Sequence, residues 1–457
     1  MHFKTNLPLS VGFISLGCAK NRVDSEVIAS GALRAGFKLS SAPEKADVII
    51  VNTCAFIADA KKEAVEAVLA ACALKKKGRV GWVVVAGCLP QRYQDELPAL
   101  LPEVDAFIGI DQVNRVSSVI RRLVKGGRGI NEISPCPRAV IHPPADRILF
   151  TEAPYAYLKI AEGCDHQCSF CAIPQIRGKY RSRSAAGIVR EAEALLDRGV
   201  RELNLIAQDV TRYGHDLGAG KTNLAGLLRR LGRVGGRFWI RLLYGHPDHI
   251  GDELLAAMDE TRQVCRYLDL PIQHCDKRIL RMMGRAGDEN SLRKLFLKIR
   301  QKLPGVALRT TCLVGFPGET DAAFQRLLRF VRETEFDHLG VFVYSEEEGT
   351  RAAGLPDKVA HQTAAQRKDI LMRAQQKIVA VKLAKAIGQT GEVFVEKEKN
   401  GAKHVWMARS RYQAPEIDNA VYLRDDAGRC KPGLLVNARY VNARGYDLVA
   451  EVEDNGN

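Results

Sequence analysis

Cys164, Cys168 and Cys171 fall within eight positions, in the stretch AEGCDHQCSFCAI at 161–173. Thiolates gathered on one loop point to an iron–sulfur cluster or to zinc. Zinc sites are usually built from paired C-x2-C motifs, whereas the spacing here is C-x3-C-x2-C. No fourth cysteine follows in the local run. Three thiolates would leave one iron of a four-iron cluster open to a substrate or cofactor. The alternatives are three free core thiols or a degenerate zinc loop, and free thiols at this spacing would be an oxidation liability. His166, inside the motif, reads as a solvated loop histidine rather than a ligand.

A second set of thiols has a longer spacing. Cys18 follows FISLG, Cys54 follows VIIVNT and Cys88 follows WVVVAG, with gaps of 36 and 34 residues. Each gap is about one βα unit. In a parallel sheet the strand C-termini share one edge, where ligands bind, so three thiols at successive strand ends can converge on one site. Packing of strand-end cysteines is the competing explanation. Cys72 sits mid-helix among alanines and reads as packing.

The elements that must position these thiols are legible as a pattern. From 11 to about 125, short apolar strands (VGFISL, DVIIVN, RVGWVVVAG, AFIGI) alternate with helices such as 55–77, which predicts a doubly wound parallel α/β domain over 1–130. The Gly- and Pro-rich stretch 131–152 reads as a linker. From 153 to 387, six further βα units predict a curved, partial (β/α) barrel that ends in a long helix from about 357 to 387. From 388 to 457, five strand-like runs separated by turn residues predict a small all-β barrel of the OB type.

The chain has 457 residues, 46% hydrophobic and 26% charged, with a net charge of +15 and twelve cysteines. Such a basic balance favours acidic or ribonucleoprotein partners, or is simply a solvated face. No apolar run approaches the roughly 18 residues of a membrane helix. The N-terminal MHFKTNLPLSVGFISLG lacks a signal-peptide pattern and reads as the approach to the first strand. A cytoplasmic protein without a membrane partner is expected, with its cysteines in metal or redox chemistry rather than disulfides.

With these residues in view, the chain resembles the radical SAM (S-adenosylmethionine) methylthiotransferases over essentially its whole length. The resemblance is carried by SLGCAKNRVDSE, NTCAFIADAKKE, AGCLPQRY, YLKIAEGC, IAQDVTRYG, WIRLLYGHPDH, YLDLPIQH and VGFPGET, and by Phe170 before the last loop cysteine. It implies two [4Fe–4S] clusters and a C-terminal TRAM domain. Cys164, Cys168 and Cys171 would hold the catalytic cluster, whose open iron takes SAM to yield a hydrogen-abstracting deoxyadenosyl radical. Cys18, Cys54 and Cys88 would hold an auxiliary cluster that supplies sulfur, and a second SAM supplies the methyl group. Gly315, Gly318 and Glu319 of GFPGET, with Gln208 and Asp209, are the candidates for shaping the SAM pocket. A plain strand-to-helix turn capped by Thr320 explains GFPGET equally well. Cys275 and Cys312 depart from the family pattern and are expected to be buried and inert. Gln413 and Asn419 depart from it near the C-terminus.

Within that family the SLGC-x-KN opening and RSRYQAPEIDNAVYL resemble most the branch acting on a ribosomal protein. This implies methylthiolation at the β-carbon of an aspartate of small ribosomal subunit protein twelve, free or in the subunit, with a flavodoxin- or ferredoxin-type electron donor. The alternative is a tRNA adenosine methylthiotransferase of the MiaB type. A cluster-carrying redox or RNA-binding module without radical chemistry is the third. Residues 388–457 hold ten Lys/Arg against eleven Asp/Glu. An RNA-gripping barrel should be clearly basic, so acidic stretches such as EIDNAVYLRDD are expected to suit a basic protein substrate.

Overall fold

The computed structural model describes residues 8–151, 154–218 and 222–453. The first seven residues, the expected linker-to-barrel step at 152–153 and the last four residues of the expected third domain lie outside them. The N-terminal sheet is built from β1 (Ser10–Ser15), α1 (Ala19–Arg34), β2 (Lys38–Ser40), β3 (Val48–Thr53), α2 (Ala58–Lys76), β4 (Trp82–Gly87), α3 (Cys88–Arg92), α4 (Leu97–Leu100), β5 (Ala106–Ile108), α5 (Val116–Val124) and β6 (Ile130–Glu132). Its order is β2-β1-β3-β4-β5-β6, with every pair parallel. VIIVNT in β3 is buried at every position, as a strand covered on both faces must be. α1 and α5 pack Val27, Ile28, Val119 and Ile120 on one face. α2 packs Ala64 and Val68 on the other. The sheet is therefore doubly wound. The two edge strands β2 (KLS) and β6 (INE) went unread in the sequence because, unlike the equally short β5 (AFI), they carry no apolar run.

The central unit runs through β7 (Tyr155–Lys159), β8 (Ala161–Glu162), α6 (Ile173–Arg177), β9 (Arg181–Ser182), α7 (Ala185–Asp197), β10 (Glu202–Ile206), α8 (Leu224–Leu231), β11 (Trp239–Leu242), α9 (Asp252–Glu260), β12 (Val264–Asp269), α10 (Lys277–Met282), α11 (Glu289–Lys302), β13 (Ala307–Val314), α12 (Asp321–Thr334), β14 (His338–Val343) and α13 (His361–Ala386). Six strands pair in parallel in the order β14-β13-β12-β11-β10-β7 and do not close. Alternation along each strand separates two faces. Ala156, Leu158, Leu203, Leu205, Ile240 and Leu242 pack on the helices. Tyr155, Tyr157, Ile206, Trp239 and Tyr267 face the other way, toward Val23 of α1 and Phe394 and Ala414 of the C-terminal unit.

That last unit comprises β15 (Thr390–Glu398), β16 (Val405–Ser410), β17 (Val421–Arg424), β18 (Leu435–Arg444) and β19 (Asp447–Val452). It is a closed barrel in the order β15-β16-β17-β19-β18. Its segment 409–418 docks on the concave face of the central sheet. Arg409 and Arg241 both grip Glu202, the latter at 2.7 Å, and all three are buried. Tyr155 and Tyr157 donate to Glu416 at 2.6 and 3.1 Å. Tyr267 donates to Asp418 at 2.7 Å. Two acidic residues expected to face a basic protein substrate are thus engaged inside the molecule, with the Asp418 side chain only 1% exposed. Gln413, a departure from the family pattern, is buried and its Oε1 accepts from the Ser410 amide at 2.8 Å.

Glu202→Gln would leave buried Arg241 without a carboxylate and Arg409 with Glu396 alone, a change that costs about 3–5 kcal/mol. Urea unfolding should show that loss. Glu451→Gln, which breaks an exposed pair with Arg424, should stay within about 1 kcal/mol.

Candidate cluster sites at the strand ends

The first cysteine loop leaves β8 through Gly163, whose φ is +76°. A Cβ there would lie 2.0 Å from the Lys179 carbonyl oxygen, so only glycine fits. The loop is pinned on both sides: the Cys164 amide donates to the Gly178 carbonyl at 3.0 Å, and the Ser169 amide to that of Met283 at 2.9 Å. All three cysteines line one cavity of about 630 Å³, together with Gln167, Gln175 and Arg351. Burial pushes the Cys164 thiol up to about 11, and burial with the neighbouring Cys168 pushes Cys171 up to about 12. Thiols that resist ionising together are what a cationic iron cluster relieves.

Cys18, Cys54 and Cys88 do converge. β1, β3 and β4 are adjacent in the sheet, and the cysteine follows each strand at the same edge. Gly17 and Gly87 make the turns before Cys18 and Cys88, with φ of +87° and +96°. Cys54 is raised to about 12 by burial, and then by Cys88 and Cys18 beside it. Cys18 differs. Burial acts to raise its pKa, but the charges of Lys20 and Arg177 and the amides of Asn21 and Lys20 outweigh it, so the net shift is downward.

As placed, neither trio gathers its three sulfurs within 4.8 Å of one another. Among the described residues, only His166, His246 and His249 bring three ligand atoms that close. The sulfurs of tetrahedral zinc, with bonds of about 2.3 Å, would sit about 3.8 Å apart. The wider cysteine trios fit a multi-iron cluster.

Arg177 joins the two sites. It ends α6, the helix that follows Cys171, and its Nη2 donates to Asn21 Oδ1 at 2.6 Å and reaches Cys88 Sγ at 3.5 Å. It also pairs with Asp24 at 3.1 Å and Glu162 at 3.0 Å, and Lys159 bridges the same two carboxylates. All four charges are at least 95% buried. Sequence reading missed this network. Its only outward sign is the polar string NRVDSE running through a helix with no clear apolar stripe.

The remaining predicted residues fall in two places. Gln208 and Asp209 lie just past β10, on the same edge as the first cavity. The Gln208 amide has both polar atoms buried without a partner among the described residues, which marks a place a ligand can complete. Asp209 accepts from the His166 ring at 2.7 Å. His166 is therefore not a solvated loop residue. It is stacked on His246 at 4.1 Å and on His249 at 5.2 Å. Near-parallel rings do not aim their nitrogens at one metal, and His246 Nδ1 already accepts from the Asp248 amide.

Gly315 (φ +75°) turns against Ala364, where a Cβ would meet another Cβ at 2.3 Å, and Gly318 also has positive φ. Glu319 is turned inward: it accepts from the Gly315 amide and pairs with Arg367 at 3.2 Å. Thr320 caps α12 through the Ala323 amide. Cys72, Cys275 and Cys312 are buried, and burial raises all three thiols.

Two expectations follow. Gly163→Ala should strain the loop by roughly 1–3 kcal/mol, and iron analysis after anaerobic reconstitution should show the Cys164 trio underloaded while the other trio fills. Burial, helped by Arg285 and His166, lowers His246 from 6.5 to about 2. The unfolded chain then binds a proton that the folded one refuses. Stability present above about pH 6.5 is lost as pH falls below it, by at most about 1.4 kcal/mol per unit. Urea midpoints of the cluster-free protein between about pH 6.5 and 5.5 should fall less for His246→Asn.

The chain matches three family models: the uncharacterized protein family UPF0004 at 10–109, the radical SAM superfamily at 158–331 and the TRAM domain at 387–452. Among solved structures, the radical SAM methyltransferase TsrM from Kitasatospora setae shares the fold at a TM-score of 0.56 and 13% identity, covering 76% of this chain and 77% of that one. The ribosomal protein uS12 methylthiotransferase RimO of Syntrophus aciditrophicus is 46% identical over 97% of this chain and 98% of its own length. That of Geobacter sulfurreducens is 42% identical over 98% and 99%. Identity at this level, sustained from one end to the other, reflects common family as well as common fold, and the chain belongs to the RimO methylthiotransferase family within the radical SAM superfamily.

Proposed function

We propose that this protein replaces a hydrogen on the β-carbon of an aspartate in ribosomal protein uS12 with a methylthio group. The observation that carries this reading is the pair of cysteine trios at two strand-end edges, held to each other by Arg177. Two relatives named for uS12, each matched over nearly its whole length, support the substrate. An aspartate β-C–H has no useful acidity, so side-chain bases cannot activate it. A [4Fe–4S] cluster carrying SAM supplies the one-electron chemistry that takes such a hydrogen.

The chain's own residues do the rest. Cys164, Cys168 and Cys171 hold the first cluster and, being three, leave one position for SAM. Gln208, with its unpartnered amide, and Asp209, fixed by His166, bind SAM beside it. The turn through Gly315 and Gly318 shapes the SAM pocket together with Glu319, whose Oε1 is buried without a hydrogen-bond partner among the described residues. Cys18, Cys54 and Cys88 hold a second cluster that handles sulfur. The work divides among a thiol domain over 1–130, a linker over 131–152, a radical SAM core over 153–387 and a TRAM barrel over 388–457. A flavodoxin- or ferredoxin-type protein delivers electrons. Among the described residues no helix is long and apolar enough to cross a membrane.

The test is anaerobic reconstitution with SAM, a reductant, small ribosomal subunits and unmodified tRNA, read by mass spectrometry. A methylthio-aspartate in uS12 with clean tRNA is expected. A methylthio-adenosine with clean uS12 overturns the substrate. Cys164→Ala should abolish SAM cleavage. Cys88→Ala should lose about half of the iron and all methylthio product, yet still cleave SAM.

A further inference from the structure

Lys20 stands apart from the other cations where α1 meets the central sheet. Arg22 pairs with Glu416, and Lys159 and Arg177 both pair with Asp24 and Glu162. Lys20 forms no ion pair among the described residues. Its ammonium lies 3.4 Å from the centre of the Tyr244 ring, and the residue is only partly buried. A half-buried ammonium with no ion-pair partner keeps donors to offer an anion. An ammonium carries three donors, and a ring on one side leaves others free.

Tyr244 is presented with care. Its φ is +64°, a strained region for a bulky residue, and such strain persists where surrounding structure enforces it. The Tyr244 amide donates to Asp269 Oδ2 at 3.0 Å, and its carbonyl accepts from the Val210 amide at 3.0 Å. Asp269 is itself fixed by Arg309 at 3.1 Å. These bonds fix the backbone that carries the ring, just past the end of β11, under a side chain that begins two residues after Cys18.

We infer that Lys20, over the Tyr244 ring, is the subsite for the carboxylate of the aspartate being modified. This rests on the function proposed above. The carbon that reacts is bonded directly to that carboxylate, so a cation holding the carboxylate orients the reacting C–H. The place is apt, since Lys20 lies two residues after Cys18, at the sheet edge that Cys54 and Cys88 share. An amide in place of the carboxylate would forfeit the charge-assisted bond.

The experiment measures binding of two synthetic peptides, spanning the target site of uS12 with its aspartate or with asparagine there, to the cluster-loaded protein. Wild type should prefer the aspartate peptide by about 10- to 100-fold. Lys20→Gln should erase that preference by weakening the aspartate peptide alone, and Lys20→Arg should restore part of it. Iron per chain and the thermal midpoint verify that each variant is loaded and folded. Should Lys20→Gln fail to load, the wild-type preference and the Lys20→Arg variant still decide. Equal weakening of both peptides, or no wild-type preference, overturns the subsite while leaving the function intact. A changed iron load in both Lys20 variants with the preference unaltered assigns Lys20 to the cluster and overturns it too. A wild type that takes up neither peptide overturns the subsite, while the function is decided separately by the mass-spectrometric test on small ribosomal subunits.

Discussion

Two carboxylates and two cations, Asp24 and Glu162 against Lys159 and Arg177, are sealed where the first sheet meets the second. They come from α1, β7, β8 and α6, so their mutual pairing sets how the two units face each other. A closed set of this kind adds little net stability, because removing four charges from water is expensive. What it supplies is intolerance of misalignment. Any slip leaves a buried charge unpaired, and Arg177 would then lose Cys88 and Asn21 as well. Both cysteine trios hang from this junction. One follows directly on β8 and precedes α6, and the other abuts α1.

The same logic recurs at the other contacts. Arg147, from the segment expected to be a linker or crossover loop, is fully buried between Glu26 of α1 and Glu191 of α7. That segment has no strand or helix after β6, yet a charge pins it. The C-terminal barrel is fastened by Glu202 between two arginines and by tyrosine hydroxyls on Glu416 and Asp418. Glu416 and Asp418 serve docking within the chain, which is why a near-neutral net charge says little about the barrel's external partner.

α1 shows why part of this escaped the sequence reading. Helices read as amphipathic when one face meets water. α1 is wedged between two sheets, so Asn21, Asp24, Ser25 and Glu26 are as buried as Val23, Val27 and Ile28. Its polar residues look like surface in a string of letters. Only the neighbours brought by the fold turn them into partners. His166 misled in the same way. It looked solvated because its stack and its carboxylate partner lie about 40 to 80 positions away in the chain.

The sequence by itself determined the βα alternation, the all-β end and both thiol trios, because these are written in local periods and in residues whose chemistry is specific. β3 must be a buried strand, and cysteines after successive parallel strands must share an edge. The tertiary structure alone decided which charges pair, which way Glu319 turns, and that Lys20 forms no ion pair among the described residues while its neighbours do. Pairing of charges depends on three-dimensional proximity and on burial, and neither leaves a period in the chain.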